Sequence, residues 1–283
     1  MNKEKSVRKL ILIDLDKTLI DRNYKTTLPE AHLATFFTEV QGVGVTIGIS
    51  SDSAIGTIED FARRCSIRGP IIAENGSLVS TLAKPGIFEK NMPGKNFFPK
   101  LRGVLSEKLH DKTTVVIIGN ANPLAVLLKG SNYNLGVVDT IILINGYRQA
   151  SISFFVIKKT RGVWKSTNGS MEKVLEAVKE IAIANLGIYY DECCFDINPE
   201  YGICIIRKKG MQKSSAIPRI KRKYPGYRIF VIGDSMGDFY DVEGITHCAV
   251  SNASREFKKR CQLVAKKPYS KGVVELIGEI VKQ

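Results

Sequence analysis

The stretch KLILIDLDKTLI, residues 9–20, combines the pattern of a buried strand with two acidic residues at its end. Four apolar residues, Leu10 to Ile13, precede Asp14 and Asp16, which project from the same side of an extended chain. Because two like charges repel each other, carboxylates placed this way need a neutralising cation. The stretch therefore predicts the first strand of a sheet, with a charged site at the carboxyl end of that strand.

The alternation of strand and helix continues to about residue 80. GVGVTIGIS (42–50) and IIAENG (71–76) have the composition of buried strands. Apolar residues at helical spacing precede each of these strands: Leu33, Phe36, Phe37 and Val40 before the first, and Ile55, Ile58, Ala62 and Cys65 before the second. This order predicts right-handed crossovers and a parallel sheet, with functional groups gathered at the carboxyl ends of its strands.

A change of pattern after residue 80 predicts an inserted domain. KPGIFEKNMPGKNFFPK (84–100) is rich in Gly, Pro and Lys, which is typical of a connection that leaves the first sheet. Mixed patterns then predict helices near 98–109 and 171–186 and strands near 115–118, 152–157, 193–197 and 203–206. RIFVIGDS (228–235) resumes the first pattern. We therefore predict an α/β protein with a Rossmann-like parallel sheet core, residues 1–80 and 207–283, and an inserted α+β cap domain, residues 81–206.

Composition and charge narrow the class of protein. Hydrophobic residues make up 44% of the 283 residues, which suits a folded core, and no run approaches the roughly 18 apolar residues of a membrane helix. Asp14 interrupts the first apolar run too early for a secretory signal, so we expect a cytoplasmic protein with no membrane partner. Six cysteines form no CxxC pair, which favours reduced thiols over a zinc site or disulfides. The net charge of +14 would attract phosphate esters or nucleic acid.

A second pair of acids and two further polar groups lie at other predicted strand and helix ends. GDSMGD (233–238) supplies Asp234 and Asp238, which join the first two acids at one edge of the predicted sheet. Oxygen donors without imidazole or thiolate beside them favour Mg²⁺ over zinc. The hydroxyl of Ser50 and the ammonium of Lys213 suit the equatorial oxygens of a phosphoryl group. Together these groups predict a phosphotransfer site.

The ordered set of motifs resembles the haloacid dehalogenase superfamily of phosphohydrolases. The four motifs are DLDKT (14–18), GIS (48–50), a lysine before a helix, and GDSMGD (233–238). ENGS (74–77), VSNAS (250–254) and the position of the inserted region resemble the Cof-like branch with a class II cap. This branch includes sugar-phosphate and phosphoglycolate phosphatases. The resemblance covers the core, whereas the cap matches in position and carries no recognisable motif.

The resemblance implies a role for each catalytic residue. Asp14 would be the nucleophile that takes up the phosphoryl group as an aspartyl-phosphate. Asp16 would protonate the leaving oxygen and then activate water for hydrolysis of this intermediate. Ser50 and Ser51 would bind the phosphate, and Lys213 would offset its charge while holding the nucleophile in place.

The resemblance also implies a magnesium site. The side chains of Asp14 and Asp234 and the backbone carbonyl of Asp16 would hold Mg²⁺, with Asp238 as a ligand or as a support for the ligands. Asp14 and Asp16 would then share one metal and divide the roles of nucleophile and acid/base.

The chain departs from the family pattern in two places. Many members have Thr-Gly-Arg in the second motif, where this chain has Ser50-Ser51-Asp52, and we expect Asp52 to cap a helix. The fourth motif usually has Asn where this chain has Gly237, so turnover or substrate pose is expected to differ. We interpret Asn75-Gly76 as a hairpin turn and Asn252 as a structural turn residue.

The identity of the substrate is expected to depend on the cap, which in this family closes over the core and contacts the leaving group. VIKKTRGVWKS (156–166) surrounds Trp164 with basic residues and is the best candidate for such a contact, although a solvated basic loop is the favoured interpretation. We predict a small phosphorylated metabolite, either a sugar phosphate or a phosphoglycolate-like ester. The sequence leaves the ester and the oligomeric state open.

Two other functions remain open. Related sites pass the phosphoryl group to a bound hydroxyl, so a phosphomutase acting on hexose phosphates is one alternative. A module that binds phosphate or RNA without turnover is the other. RIKRKYPGYR (219–228) is the only candidate RNA-binding segment, and we expect it to form the outer face of a core helix. Nucleic acid is therefore not favoured as a partner.

Overall fold

The computed structural model describes residues 8–82, 84–90, 97–119, 136–165, 168–186, 191–198 and 203–283. The chain forms two compact units: residues 1–90 together with 211–283, and residues 91–210. The limits lie later in the chain than the predicted ones at residues 80 and 206. Each unit contains its own β-sheet.

The strands and helices of the two units are numbered in chain order. The strands are β1 (Lys9–Ile13), β2 (Val45–Ser50), β3 (Pro70–Ala73), β4 (Leu78–Thr81), β5 (Lys84–Lys90), β6 (Thr114–Gly119), β7 (Thr140–Asn145), β8 (Ser151–Thr160), β9 (Val163–Lys165), β10 (Cys193–Asn198), β11 (Ile203–Lys208), β12 (Arg228–Gly233), β13 (Ile245–Ala249) and β14 (Leu263–Val264). The helices are α1 (Glu30–Gly42), α2 (Ile55–Arg64), α3 (Phe97–Lys108), α4 (Asn168–Leu186), α5 (Ile217–Lys223), α6 (Arg255–Arg260) and α7 (Tyr269–Lys282).

The sheet of the first unit has the strand order β14-β13-β12-β1-β2-β3-β4-β5. Its strands from β14 to β3 are parallel, and Ile13 of β1 pairs with Ile49 of β2 on one side and with Ile232 of β12 on the other. The three strands therefore end at the same level. This register places the residues that follow them, including Asp14 and Asp234, side by side at the carboxyl edge of the sheet.

The far side of this sheet ends in antiparallel strands. Strands β3 and β4 form a hairpin whose turn contains Asn75 and Gly76, both with positive φ, which confirms the predicted turn. Strand β5 pairs with β4 along residues 84–90, which were predicted as a connection, so that prediction was wrong for these residues. Pro85 is tolerated there because β5 is an edge strand and needs no hydrogen bond from this position. Residues 91–96 of the predicted connection lie outside the described residues.

The interior of the first unit is apolar on both faces of the sheet. Leu10 to Ile13 of β1 are fully buried, as is typical of a parallel strand that is covered by helices on both sides. Leu33, Phe37 and Val40 form the buried face of α1. The six cysteines are free thiols, as predicted, and four of them are buried.

The sheet of the second unit has the order β10-β11-β8-β7-β6, with β9 paired to β8. Strands β6 and β7 are parallel and the other pairs are antiparallel. Helices α3 and α4 contribute Phe98, Leu101, Leu105, Leu175 and Val178 to the core cluster on this sheet. The α/β fold class is therefore confirmed, although β5, β7 and β9 were not predicted. No helix in the described ranges has the length and apolarity needed to cross a lipid bilayer.

Candidate active site

Three acidic side chains meet at the carboxyl edge of the first sheet. Asp14 follows β1, Asp234 follows β12, and Asp238 ends a short 3-10 turn of residues 236–238. One carboxylate oxygen from each residue lies within 4.8 Å of the others. Asp14 and Asp238 are buried, and Asp234 is half-buried. The structure therefore brings together three of the four predicted acids from two distant parts of the chain.

Lys213 lies between two of these carboxylates. Its Nζ donates to Oδ1 of Asp14 at 2.6 Å and to Oδ1 of Asp238 at 2.7 Å. Burial alone would lower the pKa of Lys213, but attraction to the two carboxylates outweighs this effect and raises the pKa well above its ordinary value. The lysine is therefore a fixed positive charge beside the predicted nucleophile.

The position of Lys213 depends on the turn that precedes α5. The turn is a 3-10 segment, Lys213–Ala216, and the α-helix begins at Ile217. Ser215 Oγ accepts a hydrogen bond from the backbone N of Gln212 at 3.1 Å. The lysine precedes the helix as predicted, and Ser215 stabilises this turn rather than the helix itself.

The carboxylate of Asp14 is held at both oxygens. While Oδ1 accepts from Lys213, Oδ2 accepts from Thr18 Oγ1 at 2.9 Å. Burial raises the pKa of Asp14 well above its ordinary value, and repulsion from Asp238 raises it further, although Lys213 opposes both effects. One ammonium therefore does not fully compensate the buried negative charge of this site.

Asp238 holds other parts of the cluster in place through the hydrogen bonds that its carboxylate accepts. Its Oδ2 accepts from the backbone N of Asp234 at 3.1 Å and of Ser235 at 3.3 Å, while its Oδ1 accepts from Lys213. A Cβ atom on Gly233 would lie 2.3 Å from Cβ of Asp238, so only glycine fits there. Asp238 therefore fixes both the lysine and the loop that carries Asp234.

Asp234 is the most solvent-exposed of the three acids, because Asp14 and Asp238 are buried. Burial raises its pKa to about 6, and repulsion from Asp238 adds to this effect, while Lys213 and Lys17 oppose it.

The backbone of Lys17 is left-handed, with φ 62°, in the loop after β1. That loop is tied down by Asn252, whose Nδ2 donates to the Lys17 carbonyl at 2.7 Å. Asn252 Oδ1 also accepts from Tyr269 N at 2.9 Å, which confirms its structural role.

Asp16 lies beside the cluster and contacts serines. Its Oδ2 accepts from Ser53 Oγ at 2.9 Å and from Ser51 Oγ at 3.5 Å. Ser51 Oγ in turn accepts from the backbone N of Ser53 at 3.0 Å. Ser53 lies three positions beyond the second motif, and no role was predicted for it. Helix α2 begins at Ile55 with Ala54 as its N-cap residue, so the predicted helix cap at Asp52 was wrong.

Ser50, the last residue of β2, contacts a tyrosine that sequence reasoning missed. Ser50 Oγ and Tyr240 OH are 2.6 Å apart, and both residues are buried. No motif pointed to Tyr240, because it follows the fourth motif by two positions and resembles any buried aromatic residue. Thr18, the partner of Asp14, is the last residue of the first motif.

The two basic segments outside the cluster belong to regular secondary structure. Residues 156–165 form most of the hairpin of β8 and β9, so the interpretation of this segment as a solvated loop was wrong. Trp164 packs against Val115, Val138, Ile141 and Ile157, and Lys159 Nζ lies 5.9 Å from the centre of its ring. The side chain of Lys165 and the whole of Ser166 lie outside the described residues. In the segment 219–228, Ile220 is buried while Arg222 and Lys223 are exposed, so residues 219–223 form part of a core helix as predicted. The helix ends at Lys223, and the rest of the segment leads through a turn into β12, so the prediction was wrong there.

The cluster fits a divalent cation. If all three carboxylates are ionised, the single charge of Lys213 leaves two negative charges uncompensated. Burial, and then repulsion from Asp238, raises the pKa of both Asp14 and Asp234, so the charged form of each carboxyl group is disfavoured in the absence of a cation. The donors are carboxylate oxygens, and hard oxygen donors suit Mg²⁺. Asp14 and Asp234 are the residues of this set best placed to hold such an ion.

Comparisons with known proteins agree with this site. The sequence profile of the haloacid dehalogenase (HAD)-like hydrolases matches residues 11–277. Similar solved structures include a HAD-like hydrolase from Bacteroides thetaiotaomicron, with 17% identity and a TM-score of 0.64 over 96% of this chain and 99% of that chain. A HAD/COF-like hydrolase from Plasmodium vivax has 17% identity and a TM-score of 0.60 over 99% and 97% of the two chains.

A sugar phosphatase of HAD subclass IIB is also similar, with 15% identity and a TM-score of 0.55 over 96% of this chain and 98% of that chain. At these identities the structural matches show a shared fold. No curated protein sequence matches the chain. The profile match covers most of the chain and confirms the prediction of a hydrolytic enzyme of this superfamily. The chain belongs to the haloacid dehalogenase-like hydrolases.

Proposed function

We propose that the protein is a magnesium-dependent phosphatase that hydrolyses a small phosphorylated metabolite through an aspartyl-phosphate. The observation that carries this proposal is the buried contact of Lys213 with both Asp14 and Asp238, beside the half-buried carboxylate of Asp234. A buried nucleophile next to a fixed cation is suited to attack on an anionic ester, because the cation offsets the charge of the phosphoryl group.

The first half of the reaction transfers the phosphoryl group to the enzyme. A carboxylate oxygen of Asp14 attacks phosphorus, and the bond between phosphorus and the ester oxygen breaks. Asp16 donates a proton to that departing oxygen, so that the product leaves as an alcohol. Thr18 and Lys213 hold the Asp14 carboxylate in one orientation during the attack.

The second half releases phosphate. Asp16, now ionised, takes a proton from water while the water oxygen attacks phosphorus, and the bond to Asp14 breaks. Ser51 and Ser53 hold one oxygen of the Asp16 carboxylate by hydrogen bonds, which keeps the carboxyl group in one orientation for proton transfer. Mg²⁺, held by Asp14, Asp234 and the backbone carbonyl of Asp16, would neutralise the charge of the phosphoryl group.

Ser50, Ser51 and Lys213 form the proposed phosphate-binding group. Ser50 ends β2 and Ser51 follows it, at the same edge of the sheet as Asp14, so their polar groups suit the oxygens of a phosphoryl group. The net charge of +14 favours encounter with anionic esters. Sugar phosphates and phosphoglycolate-like esters are the substrate classes that we propose, and the free thiols suit a cytoplasmic location.

The test is a screen of phosphorylated metabolites with Mg²⁺, comparing the wild type with Asp14→Asn. We expect phosphate release by the wild type and a loss of at least about 10³-fold in kcat/KM for the variant, because an amide is a poor nucleophile. Asp241→Asn is the matched control, since Asp241 is an exposed acid three residues beyond the cluster, and it should retain full activity. Equal phosphate release by the wild type and Asp14→Asn would contradict the proposal. Isomerised hexose phosphate without free phosphate would indicate a phosphomutase.

A further inference from the structure

The contact between Ser50 and Tyr240 is a buried hydroxyl pair that joins two segments at the carboxyl edge of the sheet. Both residues are 1% exposed, their oxygens are 2.6 Å apart, and 190 positions separate them in the sequence. Ser50 ends β2, and Tyr240 follows the 3-10 turn that carries Asp238. The pair therefore connects the proposed phosphate-binding strand with the loop that holds the acid cluster.

Either hydroxyl of the pair could donate, and the proposed phosphate contact decides between the two directions. A tyrosine hydroxyl has a single hydrogen, and within the described part of the chain its observed partner is Ser50 Oγ. If Ser50 donated to Tyr240, it would have no hydrogen left for a phosphoryl oxygen, and the Tyr240 hydrogen would have no observed acceptor among the described residues. Burial also raises the pKa of Tyr240, so the phenol keeps its hydrogen at neutral pH. A phosphate contact by Ser50 therefore requires Tyr240 to donate and Ser50 to accept.

This direction leaves the hydrogen of Ser50 available for a ligand. The Ser50 hydroxyl accepts from Tyr240 and has one hydrogen of its own to donate. Phosphoryl oxygens only accept hydrogen bonds, so Ser50 must donate if it contacts a phosphate. A serine that already accepts from a buried tyrosine has its hydrogen directed away from that tyrosine.

We propose that Tyr240 is a positioning residue that orients the Ser50 hydroxyl so that its hydrogen points to a phosphoryl oxygen of the substrate. This inference rests on the proposed function, because it needs Ser50 to contact the transferred group. Tyr240 thereby contributes to phosphate binding through Ser50, without itself touching the substrate.

The surroundings of Tyr240 hold its hydroxyl in place. Its backbone N donates to His247 Nε2 at 2.9 Å, and the His247 ring packs edge-on against the tyrosine ring at 6.3 Å between centroids. The backbone N of His247 donates to Gln262 Oε1 at 2.7 Å. The tyrosine ring also belongs to the apolar cluster that includes Leu12 and Ile217. A ring fixed on several sides presents its hydroxyl to Ser50 in one orientation.

The experiment is a double-mutant cycle with Tyr240→Phe, Ser50→Ala and the combined variant, measured as kcat/KM with Mg²⁺. Tyr240→Phe keeps the ring and should lower kcat/KM by about 3- to 10-fold, as expected for one neutral hydrogen bond. In the Ser50→Ala background the same substitution should have less than about a twofold effect. Tyr224→Phe is the matched control, because it removes a hydroxyl from a ring that packs on the same cluster and contacts Tyr227.

The cycle separates positioning from a merely structural role. A structural role predicts the same loss from Tyr240→Phe in both backgrounds, and that result would overturn the inference. No loss in the wild-type background would overturn it as well. Melting temperatures of all four proteins check that they remain folded at the assay temperature.

Binding of inorganic phosphate provides a readout that does not depend on turnover. Calorimetry with Mg²⁺ should show weaker phosphate binding by about 3- to 10-fold for Tyr240→Phe, and no further weakening in the Ser50→Ala background. If the wild type hydrolyses no ester but this pattern holds, the proposed function fails and the positioning role stands. If the wild type does not bind phosphate, or Tyr240→Phe binds it equally well, the positioning role is wrong.

Discussion

The buried polar side chains of the two units differ in how far away in the sequence their hydrogen-bond partners lie. In the first unit, Lys213 contacts Asp14 across 199 positions of sequence, and Ser50 contacts Tyr240 across 190. In the second unit, the buried guanidinium of Arg148 donates to Ser153 and Ser151, which are five and three positions away. A parallel sheet places strand ends from distant parts of a chain at one edge, whereas a hairpin joins neighbours. The difference explains why the acid cluster lies in the first unit.

The largest expected effects on stability come from removing one buried cationic side chain from each unit. Lys213→Met leaves Asp14 and Asp238 facing each other without their shared partner, so we expect a loss of about 3–5 kcal/mol in the free energy of unfolding without Mg²⁺. Arg148→Met removes donors to two hydroxyls, and we expect a smaller loss of about 1–3 kcal/mol.

Denaturant titrations with and without Mg²⁺ measure both effects. Added Mg²⁺ should recover more stability in Lys213→Met than in Arg148→Met, because only the first variant has excess negative charge at the proposed metal site. Equal losses in the two variants, or equal recovery by Mg²⁺, would contradict the account.

The raised pKa of Asp234 predicts that the free energy of unfolding of the first unit depends on pH. Asp234 has a folded-state pKa of about 6 against an ordinary value of 3.8, so the folded protein binds more protons than the unfolded chain between these values. The contribution of Asp234 is fully present below pH 3.8 and is lost as pH rises through about 6. Its size is at most about 3 kcal/mol.

Denaturation series at several pH values, without metal, test this prediction. Asp234→Asn should make the decrease between about pH 4 and pH 6 smaller, while the part that comes from the raised pKa of Asp14 remains. Saturating Mg²⁺ should suppress the decrease in the wild type, because the ion favours the ionised carboxylate. A wild type and Asp234→Asn with parallel pH profiles would show that burial of this carboxyl group is not the cause.

The smallest expected effect comes from Gly237, where the family pattern has asparagine. A Cβ atom there would have Ser235 Oγ, at 3.5 Å, as its nearest contact, so a larger side chain fits. Gly237→Asn should raise kcat/KM about threefold if the amide adds one hydrogen bond near the phosphate. Gly103→Asn, at an open position on helix α3 of the second unit, is the control and should leave kcat/KM unchanged. If kcat/KM rises in both variants, or in neither, the proposed role of position 237 is wrong.

Much of the candidate site in the first unit could be predicted, because several of its polar residues lie at the carboxyl ends of apolar strands. Asp14, Ser50 and Asp234 each follow an apolar run, and the parallel register of β1, β2 and β12 then places them together. Lys213 was found by its position before a helix, although the helix begins later, after a 3-10 turn. Local pattern and chain order were sufficient for the three residues at strand ends, whereas Lys213 was chosen among several lysines because it fits the spacing of the family motif.

The remaining features depend on contacts that the local pattern does not encode. Tyr240 resembles any buried aromatic residue until the sheet brings it to Ser50. Strand β7 is a short apolar run that periodicity alone does not distinguish from a buried helix. Strand β5 contains Pro85 and Gly86, which normally indicate a loop, and it forms because β4 offers a free edge. In the second unit no motif marks a site, so the expected contact with the leaving group could not be assigned to particular residues with the same precision.

The most direct test of the central claim is a crystal structure of the protein with Mg²⁺ and beryllium trifluoride, which mimics a phosphoryl group on a carboxylate. The account predicts beryllium bonded to a carboxylate oxygen of Asp14, with Mg²⁺ held by Asp14 and Asp234 and Lys213 beside the fluorides. Beryllium on another residue, or a metal ion held away from Asp14 and Asp234, would contradict the claim that these carboxylates form a phosphoryl-transfer site.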